Sequence, residues 1–385
     1  MLALTNGTVY TGRSVETGKA VVIEGERIAG VVPMDEVPSD AEVHDLGGRS
    51  VAPGFVDLQV NGGGGRLFAA DPTVEAIEAI VAAHLRFGTT SLLPTWMTGP
   101  PESMERAAEA VRAYLERGMP GLLGIHFEGP FINAEKAGVH DRRWIRPPSD
   151  AELARVASLG RGRTLVTLAP EVVPPGAIRG LCERGVRVSL GHSNARYAVA
   201  MQAFAAGASC VTHLFNAMSG MTSREAGLVG AALDDPEIYA GVIADGHHVG
   251  WPTLRVSARA KGAGRLLLVT DAMPPVGATM SLGAAMREFA LGDARIRVSG
   301  GRCVTEGGVL AGSAIDMATA VRNCVDHVGL PLAEALRMAS TYPAEYLGLG
   351  GSLGRIEKGY AADLVVLEAE VHVSAIVRGG LYQTV

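Results

Sequence analysis

Short apolar runs recur through the middle of this 385-residue chain, and a polar or charged residue closes many of them. Continuous apolar runs are typical of strands buried on both faces of a parallel sheet. Between them lie stretches with the apolar spacing of amphipathic helices, such as 74–87, 101–117 and 150–159, the last preceded by the candidate cap Ser149. Strand and helix patterns that alternate in this way predict a (β/α)8 TIM barrel, an α/β fold. We count eight candidate strands, at residues 55–61, 89–95, 121–128, 165–171, 186–192, 210–213, 241–245 and 266–271.

Both ends of the chain show a different pattern, in which apolar and polar residues alternate with period two. This alternation predicts half-buried strands, and we expect residues 1–53 and 350–385 to form one small β-sandwich domain around a barrel at 54–349. A further alternating stretch, 286–309, predicts a hairpin inserted after the eighth barrel strand. Two closing helices are expected after it, at about 314–327 and 331–339.

A doubly wound open sheet is the alternative fold. Such a sheet usually carries a glycine-rich turn after its first strand, and Gly62 to Gly65 form a glycine run at that place. The GxGxxG spacing is absent, however, and no helix pattern that could hold a phosphate begins there. The barrel therefore remains the preferred prediction.

Four residues whose side chains can bind a metal or transfer a proton lie at the carboxyl ends of predicted strands: Glu128, His192, His213 and Asp271. In a parallel barrel these ends meet at one mouth, so the four side chains are expected to lie together. Two neutral imidazoles and a carboxylate suit a zinc-like ion, and a second carboxylate that does not bind the metal can transfer protons. The pattern predicts a metal-dependent hydrolase.

Each of these residues also has a simpler interpretation. A single histidine at a strand end is more often packed or solvated than bound to a metal, and Asp271 could cap the turn that follows it. An aspartate at the end of a wholly apolar strand is costly to bury, however, by several kcal/mol unless a metal or hydrogen bonds compensate it. A metal-binding, metabolite-sensing scaffold without turnover is the alternative outside enzymes, and a carboxylate beside the metal argues against it.

Composition narrows the choice of partner. The net charge is −6 and the isoelectric point is near 6.0, without a long basic run, so a small molecule is expected rather than nucleic acid or a membrane surface. Despite a mean hydropathy of +0.21, no apolar stretch is long enough to span a bilayer. The four cysteines have no CxxC spacing, and the first residues do not resemble a signal peptide. These features favour the cytoplasm.

The segment from Pro53 to Gly62 resembles the amidohydrolase superfamily. In that superfamily the first strand usually ends in His-x-His, whereas Gln59 and Asn61 stand at those places here. This pair is similar to that of the single-metal N-acetylglucosamine-6-phosphate deacetylases. The similarity runs nearly end to end and includes residues 126–131, 138–140, 191–193, 212–218, 224–225, 244–248, 268–271 and 354–363.

The resemblance implies a reaction and a cofactor. Glu128, His192 and His213 carry over as ligands of one divalent ion, and Asp271 carries over as the general acid and base. Zinc is favoured by these ligands, with iron or another divalent ion as the alternative. The implied reaction is hydrolysis of N-acetylglucosamine 6-phosphate to glucosamine 6-phosphate and acetate. The galactosamine epimer or another N-acyl compound is the alternative substrate.

The resemblance also assigns residues to the sugar phosphate. Arg224 and His248 are the expected phosphate contacts, since a guanidinium offers a bidentate fork and an imidazole adds a donor. In similar enzymes the arginine reaches across a dimer interface, which implies a homodimer; the simpler interpretation of Arg224 is a surface ion pair with Glu225 or Glu237. The full set of expected substrate contacts is Gln59, Asn61, Val139, His140, Asn216, Ala217, Arg224, Asp245, Gly246, His247, His248, Leu310, Ala311 and Gly312.

Overall fold

The computed structural model describes residues 1–278 and 287–385. Its amino-terminal part is built of short strands, as expected, but they do not alternate buried and exposed side chains. Leu2–Thr5 is buried throughout and Lys19–Glu24 has four consecutive buried residues, so both faces of these two strands are covered. Four of the amino-terminal strands form a sheet in the order β5-β4-β1-β6. The seven strands are β1 (Leu2–Thr5), β2 (Thr8–Tyr10), β3 (Val15–Glu16), β4 (Lys19–Glu24), β5 (Arg27–Pro33), β6 (Glu42–Asp45) and β7 (Ser50–Pro53).

The central part is an eight-stranded parallel sheet with helices between its strands, which confirms the predicted barrel. The strands are almost wholly buried, because a barrel interior lies on one face and the helices cover the other. In chain order the strands of this part are β8 (Phe55–Val60), β9 (Gly62–Gly63), β10 (Arg66–Leu67), β11 (Thr89–Met97), β12 (Gly124–Glu128), β13 (Arg163–Leu168), β14 (Arg187–Leu190), β15 (Cys210–Val211), β16 (Tyr239–Val242) and β17 (Leu266–Leu268). The helices are α1 (Val74–Leu85), α2 (Pro101–Glu116), α3 (Asp150–Val156), α4 (Pro175–Glu183), α5 (Tyr197–Ala205), α6 (Gly227–Asp234) and α7 (Trp251–Lys261).

The barrel strands follow one another in chain order from β8 to β17, with the short β9–β10 hairpin outside the sheet. A parallel bridge between Val60 and Ala272 joins the first strand to the turn after the last one, and so nearly closes the barrel. The helix starts follow the sequence signals. Ser149 caps α3 in a capping box with Glu152, as its position before the helix predicts.

Several strands end before the polar residue that the apolar run predicts as their last. His192, His213 and Asp271 lie just beyond β14, β15 and β17, where the backbone turns with left-handed φ values of 47°, 31° and 52°. Ladder pairing stops at these turns because a strand needs extended backbone angles. The side chains remain at the barrel mouth.

The insertion after the last barrel strand is larger than the predicted hairpin. It forms a four-stranded antiparallel sheet in chain order, of which the last strand reaches the mouth through a bridge between Ser313 and Ala272. Met286, where the predicted hairpin begins, lies outside the described residues. The strands are β18 (Glu288–Leu291), β19 (Ala294–Ser299), β20 (Arg302–Thr305) and β21 (Leu310–Ser313).

The chain then returns to the amino-terminal domain. Three helices, α8 (Met317–Asn323), α9 (Leu332–Ala339) and α10 (Thr341–Tyr346), precede β22 (Leu364–Leu367), β23 (Val373–Arg378) and β24 (Leu381–Thr384). The last three strands pair with amino-terminal ones in the order β24-β23-β22-β7-β2-β3. Both termini thus contribute to this sheet, as expected, while the exact domain boundaries stay a prediction. Across the described residues, no helix is both long and apolar enough to cross a bilayer.

Candidate active site

Three of the four strand-end residues bring ligand atoms together at the barrel mouth. The Oε1 atom of Glu128 lies 3.0 Å from Nε2 of His213 and 3.3 Å from Nε2 of His192, and the two Nε2 atoms are 3.1 Å apart. Ligand atoms about 2.1 Å from a tetrahedral zinc ion lie about 3.4 Å from one another. The three side chains therefore have the spacing of ligands around a single ion.

Hydrogen bonding supports this interpretation. The Nδ1 atom of His192 lies 2.8 Å from the backbone oxygen of Lys136, so it carries the proton and Nε2 presents a lone pair to the centre. Burial would raise the pKa of Glu128, but the adjacent imidazoles of His192 and His213 outweigh it and hold this pKa well below its usual range. A buried negative charge facing imidazole nitrogens is suited to a divalent cation.

A third imidazole borders the same centre. Ligand atoms of Glu128, His140 and His192 all lie within 4.8 Å of one another, so this trio could also hold an ion. We favour His213 over His140 as the ligand, because Nε2 of His140 is 3.9 Å from the nearer Glu128 oxygen while that of His213 is 3.0 Å away. Burial, and then the charge of His192, lowers the pKa of His140 to about 3. His140 is therefore a neutral neighbour of the centre.

Asp271 lies beside the cluster. Its Oδ1 atom accepts hydrogen bonds from Nδ2 of Asn61 at 2.6 Å and from Nε2 of Gln59 at 3.0 Å. The same Gln59 nitrogen donates to Oε1 of Glu128 at 2.9 Å, so one amide links the two carboxyl groups. Burial, and then the negative charge of Glu128, raises the pKa of Asp271 to about 7. A carboxyl group with such a pKa can both accept and release a proton near neutrality.

The backbone at this centre is strained. His192, His213 and Asp271 all have left-handed φ values, between 31° and 52°, which non-glycine residues rarely adopt. Each such residue costs about 1–3 kcal/mol and persists only where surrounding contacts fix it. Strain concentrated at three strand ends around one barrel mouth is typical of a functional site.

A cavity of about 290 Å³ opens above these residues. Eight of the residues expected to contact substrate line its wall, and their role as contacts stays a prediction: Asn61, Val139, His140, Asn216, Ala217, His248, Leu310 and Gly312. Gln59 lies behind the wall and contacts Asp271, and Ala311 is fully buried. Gly246 and His247 lie near His248 without lining the cavity.

Asp245 supports His248 rather than facing the cavity. Its Oδ2 atom lies 2.7 Å from Nδ1 of His248, and its Oδ1 atom accepts the backbone N–H groups of His247 and His248 at 2.8 Å each. Nδ1 of His248 is thereby fixed as a donor to the carboxylate. Its other ring nitrogen is left for whatever the cavity binds.

Arg224 is exposed and does not line the cavity of its own subunit. The expected alternative, a surface ion pair, is not formed within the described part of the chain. Glu237 pairs with Arg265 at 2.9 Å, and Glu225 accepts the backbone N–H groups of Tyr197 and Gly227. That Arg224 reaches the active site of a neighbouring subunit stays a prediction.

Sequence reasoning missed several wall residues, namely Met97, Glu135, Lys136, Gly138, Ile243, Met273 and Val309. Lys136 is the most informative, because it is the one lysine or arginine in the described wall of this cavity. It lies in the short 3-10 helix Ala134–Lys136, between Glu128 and His140. A charged residue in a loop between two site residues was the signal that could have identified it.

A parallel barrel whose mouth holds two imidazoles, a carboxylate and a second carboxyl group with a raised pKa is typical of a hydrolase of the metal-dependent barrel class. Comparison with protein families refines that class. Residues 50–381 match the amidohydrolase family, and residues 1–51 match the NagA composite domain. The chain belongs to the amidohydrolase family.

Individual relatives are similar over nearly the whole chain. The N-acetylglucosamine-6-phosphate deacetylase of Haemophilus influenzae is 38% identical over 382 residues, which cover 99% of each chain. The N-acetylgalactosamine-6-phosphate deacetylase of a Shewanella species is 41% identical over 350 residues, covering 90% of this chain and 87% of that one.

Solved structures agree with this relationship. The N-acetylglucosamine-6-phosphate deacetylase of Pasteurella multocida superimposes with a TM-score of 0.95 at 39% identity, covering 100% of both chains. A mutant of the Mycobacterium smegmatis enzyme, in complex with N-acetyl-D-glucosamine 6-phosphate, superimposes with a TM-score of 0.90 at 34% identity and covers 99% of this chain and 98% of that one.

Proposed function

We propose that this enzyme hydrolyses the acetamide of N-acetylglucosamine 6-phosphate to give glucosamine 6-phosphate and acetate. The observation that carries the proposal is the position of Asp271. Its carboxyl group lies beside the cluster of Glu128, His192 and His213, and an amide links it to Glu128. Amide hydrolysis needs such a pair, because water must be activated and a poor leaving group must be protonated.

Glu128, His192 and His213 would hold one divalent ion, and their nitrogen and oxygen atoms favour zinc. Such an ion supplies Lewis acidity, since it lowers the pKa of water toward about 7 and polarises a carbonyl oxygen. Amides at Gln59 and Asn61 bind zinc poorly, and both donate to Asp271. One ion rather than two is therefore the expected content.

Asp271 transfers the proton. As a carboxylate it accepts a proton from the attacking water, and as an acid it returns that proton to the nitrogen of the departing amine. Gln59 and Asn61 hold its Oδ1 atom, which leaves Oδ2 for the exchange. His140 borders Glu128 and contacts the Thr98 hydroxyl through Nδ1 at 2.8 Å. Where that hydroxyl donates to Nδ1, the Nε2–H of His140 can stabilise the developing oxyanion.

The sugar phosphate would lie farther along the cavity. His248, fixed by Asp245, supplies a donor to the phosphate, and Asn216 with Ala217 borders the sugar. Arg224 would come from a second copy in a homodimer, because it is exposed and outside the cavity of its own subunit. We place the enzyme in the cytoplasm, which suits its four free cysteines.

The test follows acetate release from the purified, metal-loaded protein. Asp271→Asn should lower kcat by about 100- to 10,000-fold at unchanged metal content, since general acid–base catalysis contributes that much. Near-normal turnover would contradict the proposed role.

Activity that is equal with and without the 6-phosphate would contradict a phosphate site. Comparison with N-acetylgalactosamine 6-phosphate decides the epimer, which the Shewanella relative makes the second candidate. Binding without turnover would indicate the sensing scaffold instead.

A further inference from the structure

Asp57 is a buried carboxyl group that the proposed reaction does not use. It lies in β8, is 0% exposed, and accepts hydrogen bonds on both oxygen atoms. Its Oδ1 atom accepts the backbone N–H groups of Gln59 at 3.2 Å and Thr270 at 3.3 Å, and its Oδ2 atom accepts the Thr270 hydroxyl at 2.5 Å. Two of these three donors belong to the residue directly before Asp271.

The three contacts cross the place where the barrel closes, which we call the seam and define as residues 57–62 and 270–272. β8 and β17 lie at opposite ends of the sheet order, so no continuous ladder joins them. The backbone bonds across the seam include Asp271 N–H to the Gln59 oxygen at 2.9 Å and Gly62 N–H to the Ala272 oxygen at 2.8 Å. Asp57 adds a side-chain connection where regular pairing is sparse.

Thr270 also links Asp57 to Ala272, the residue that follows Asp271. Its hydroxyl donates to Asp57, and the same oxygen accepts the backbone N–H of Ala272 at 3.2 Å. The residues on both sides of Asp271 are therefore fixed through one hydroxyl group. Asp271 itself has a φ of 52°, a conformation that costs about 1–3 kcal/mol and needs such support.

We infer that Asp57 is a positioning residue for the proton-transferring carboxyl group of Asp271. By holding Thr270, it keeps the following residue in the strained conformation from which its side chain reaches Gln59 and Asn61. The inference rests on the proposed function, because it concerns the residue that transfers the proton. Asp57 touches neither the cavity nor the cluster of ligands, so it acts through its two partners, Thr270 and the backbone of Gln59.

The chemistry of the contacts predicts which substitutions matter. All of the groups that Asp57 binds are donors, so Asp57→Asn leaves at least one hydrogen without an acceptor. Thr270→Val removes the hydroxyl at nearly constant shape, while Thr270→Ser keeps it. Thr341→Val is a matched control, because Thr341 is buried and its hydroxyl donates to the Gly354 backbone oxygen at 2.7 Å, outside the seam.

The experiment measures kcat and KM for acetate release from N-acetylglucosamine 6-phosphate with metal content checked, at a temperature where every variant is folded. Asp57→Asn and Thr270→Val should each lower kcat by about 10- to 100-fold, the effect of a small misplacement of a catalytic group, and change KM by less than about threefold. Thr270→Ser and Thr341→Val should keep kcat within about threefold of the unsubstituted enzyme. Crystal structures of the first two variants should show the Asp271 carboxyl group displaced.

Unchanged kcat in Asp57→Asn and Thr270→Val would overturn the inference, as would an effect on KM alone. If Asp57→Asn fails to fold, Thr270→Val decides in its place. If the unsubstituted enzyme releases no acetate, the proposed function fails, and the crystal structures still decide: an Asp271 carboxyl group that stays in place in both variants overturns the positioning role.

Discussion

Replacing Gln59 with methionine tests how hydrogen bonding from this amide affects the pKa of Asp271 beside Glu128. Both hydrogens of its Nε2 atom are in use, one on Glu128 at 2.9 Å and one on Asp271 at 3.0 Å. Methionine has a similar length and no donor, and the site is 2% exposed, so water has little access to replace the amide. Gln59→Met therefore leaves two buried carboxyl groups without the donor that they share.

The size of the effect follows from the bond to Asp271. A hydrogen bond to a charged group contributes about 1.5–3 kcal/mol, and one pKa unit corresponds to about 1.4 kcal/mol. Losing the bond should raise the pKa of Asp271 by about one to two units. Burial and the charge of Glu128 already raise this pKa, so the change acts in the same direction.

The assay is the pH dependence of kcat/KM for the phosphorylated substrate. Asp271 must be ionised to accept a proton, so the acidic limb of the profile should move upward by about one to two pH units, with activity at pH 7 reduced about 5- to 50-fold and recovered at higher pH. Gln202→Met, the same change on an exposed face of α5, should leave the profile unchanged. A fall in kcat/KM of equal size at every pH, with the acidic limb at its original position, would refute the proposed effect of Gln59 on the pKa of Asp271.

Three further outcomes are expected. We propose Lys136, which lines the cavity, as a further phosphate contact. Lys136→Met should then raise KM for the phosphorylated substrate about 10-fold and leave kcat/KM for N-acetylglucosamine unchanged, because one charge-assisted bond is lost; equal effects on both substrates would exclude a phosphate contact. Asp245→Asn should raise the same KM about 10-fold by releasing Nδ1 of His248, with metal content unaltered, and an unchanged KM would contradict this support. Burial raises the pKa of Asp57 from 3.8 to about 7, so the stability contributed by its protonated form is present below pH 3.8 and is lost as pH rises to about 7. In the metal-free protein, the melting temperature of Asp57→Asn should therefore rise relative to that of the unsubstituted chain between pH 3.8 and about 7. Above about pH 7 the difference between the two melting temperatures should stay constant. A difference that is constant across the whole range would contradict the raised pKa.

The residues at the barrel mouth could be predicted from sequence because two simple rules act on them. A buried parallel strand is a mainly apolar run, and the polar residue that closes the run marks its carboxyl end. Glu128, His192 and His213 satisfy both rules, and the structure brings their ligand atoms to within 3.3 Å of one another. Their assignment as metal ligands stays a prediction that a metal-bound structure would test.

Other features could not be predicted because they depend on which strands meet. Asp57 is a single polar residue in an apolar run, and nothing in the sequence indicates that it contacts Thr270, which lies 213 positions away. For Lys136 the sequence offers only its place between Glu128 and His140, since no periodicity describes how that segment crosses the cavity. The sheet after β17 exceeds the expected hairpin because alternation marks strands without fixing how many will pair.

The first barrel strand explains why an enzyme of this fold can function without the usual pair of histidines there. Asp57 and Gln59 alternate along β8, and Asn61 directly follows the strand, so the three side chains lie on the same side of the chain. All three contact the turn that carries Asp271: Asp57 binds Thr270, while Gln59 and Asn61 bind the Asp271 carboxyl group. In this position imidazoles would hold a second metal, whereas amides brace the proton-transferring residue. We therefore propose that this strand positions the Asp271 carboxyl group in place of binding a second metal ion, and that the centre holds one ion.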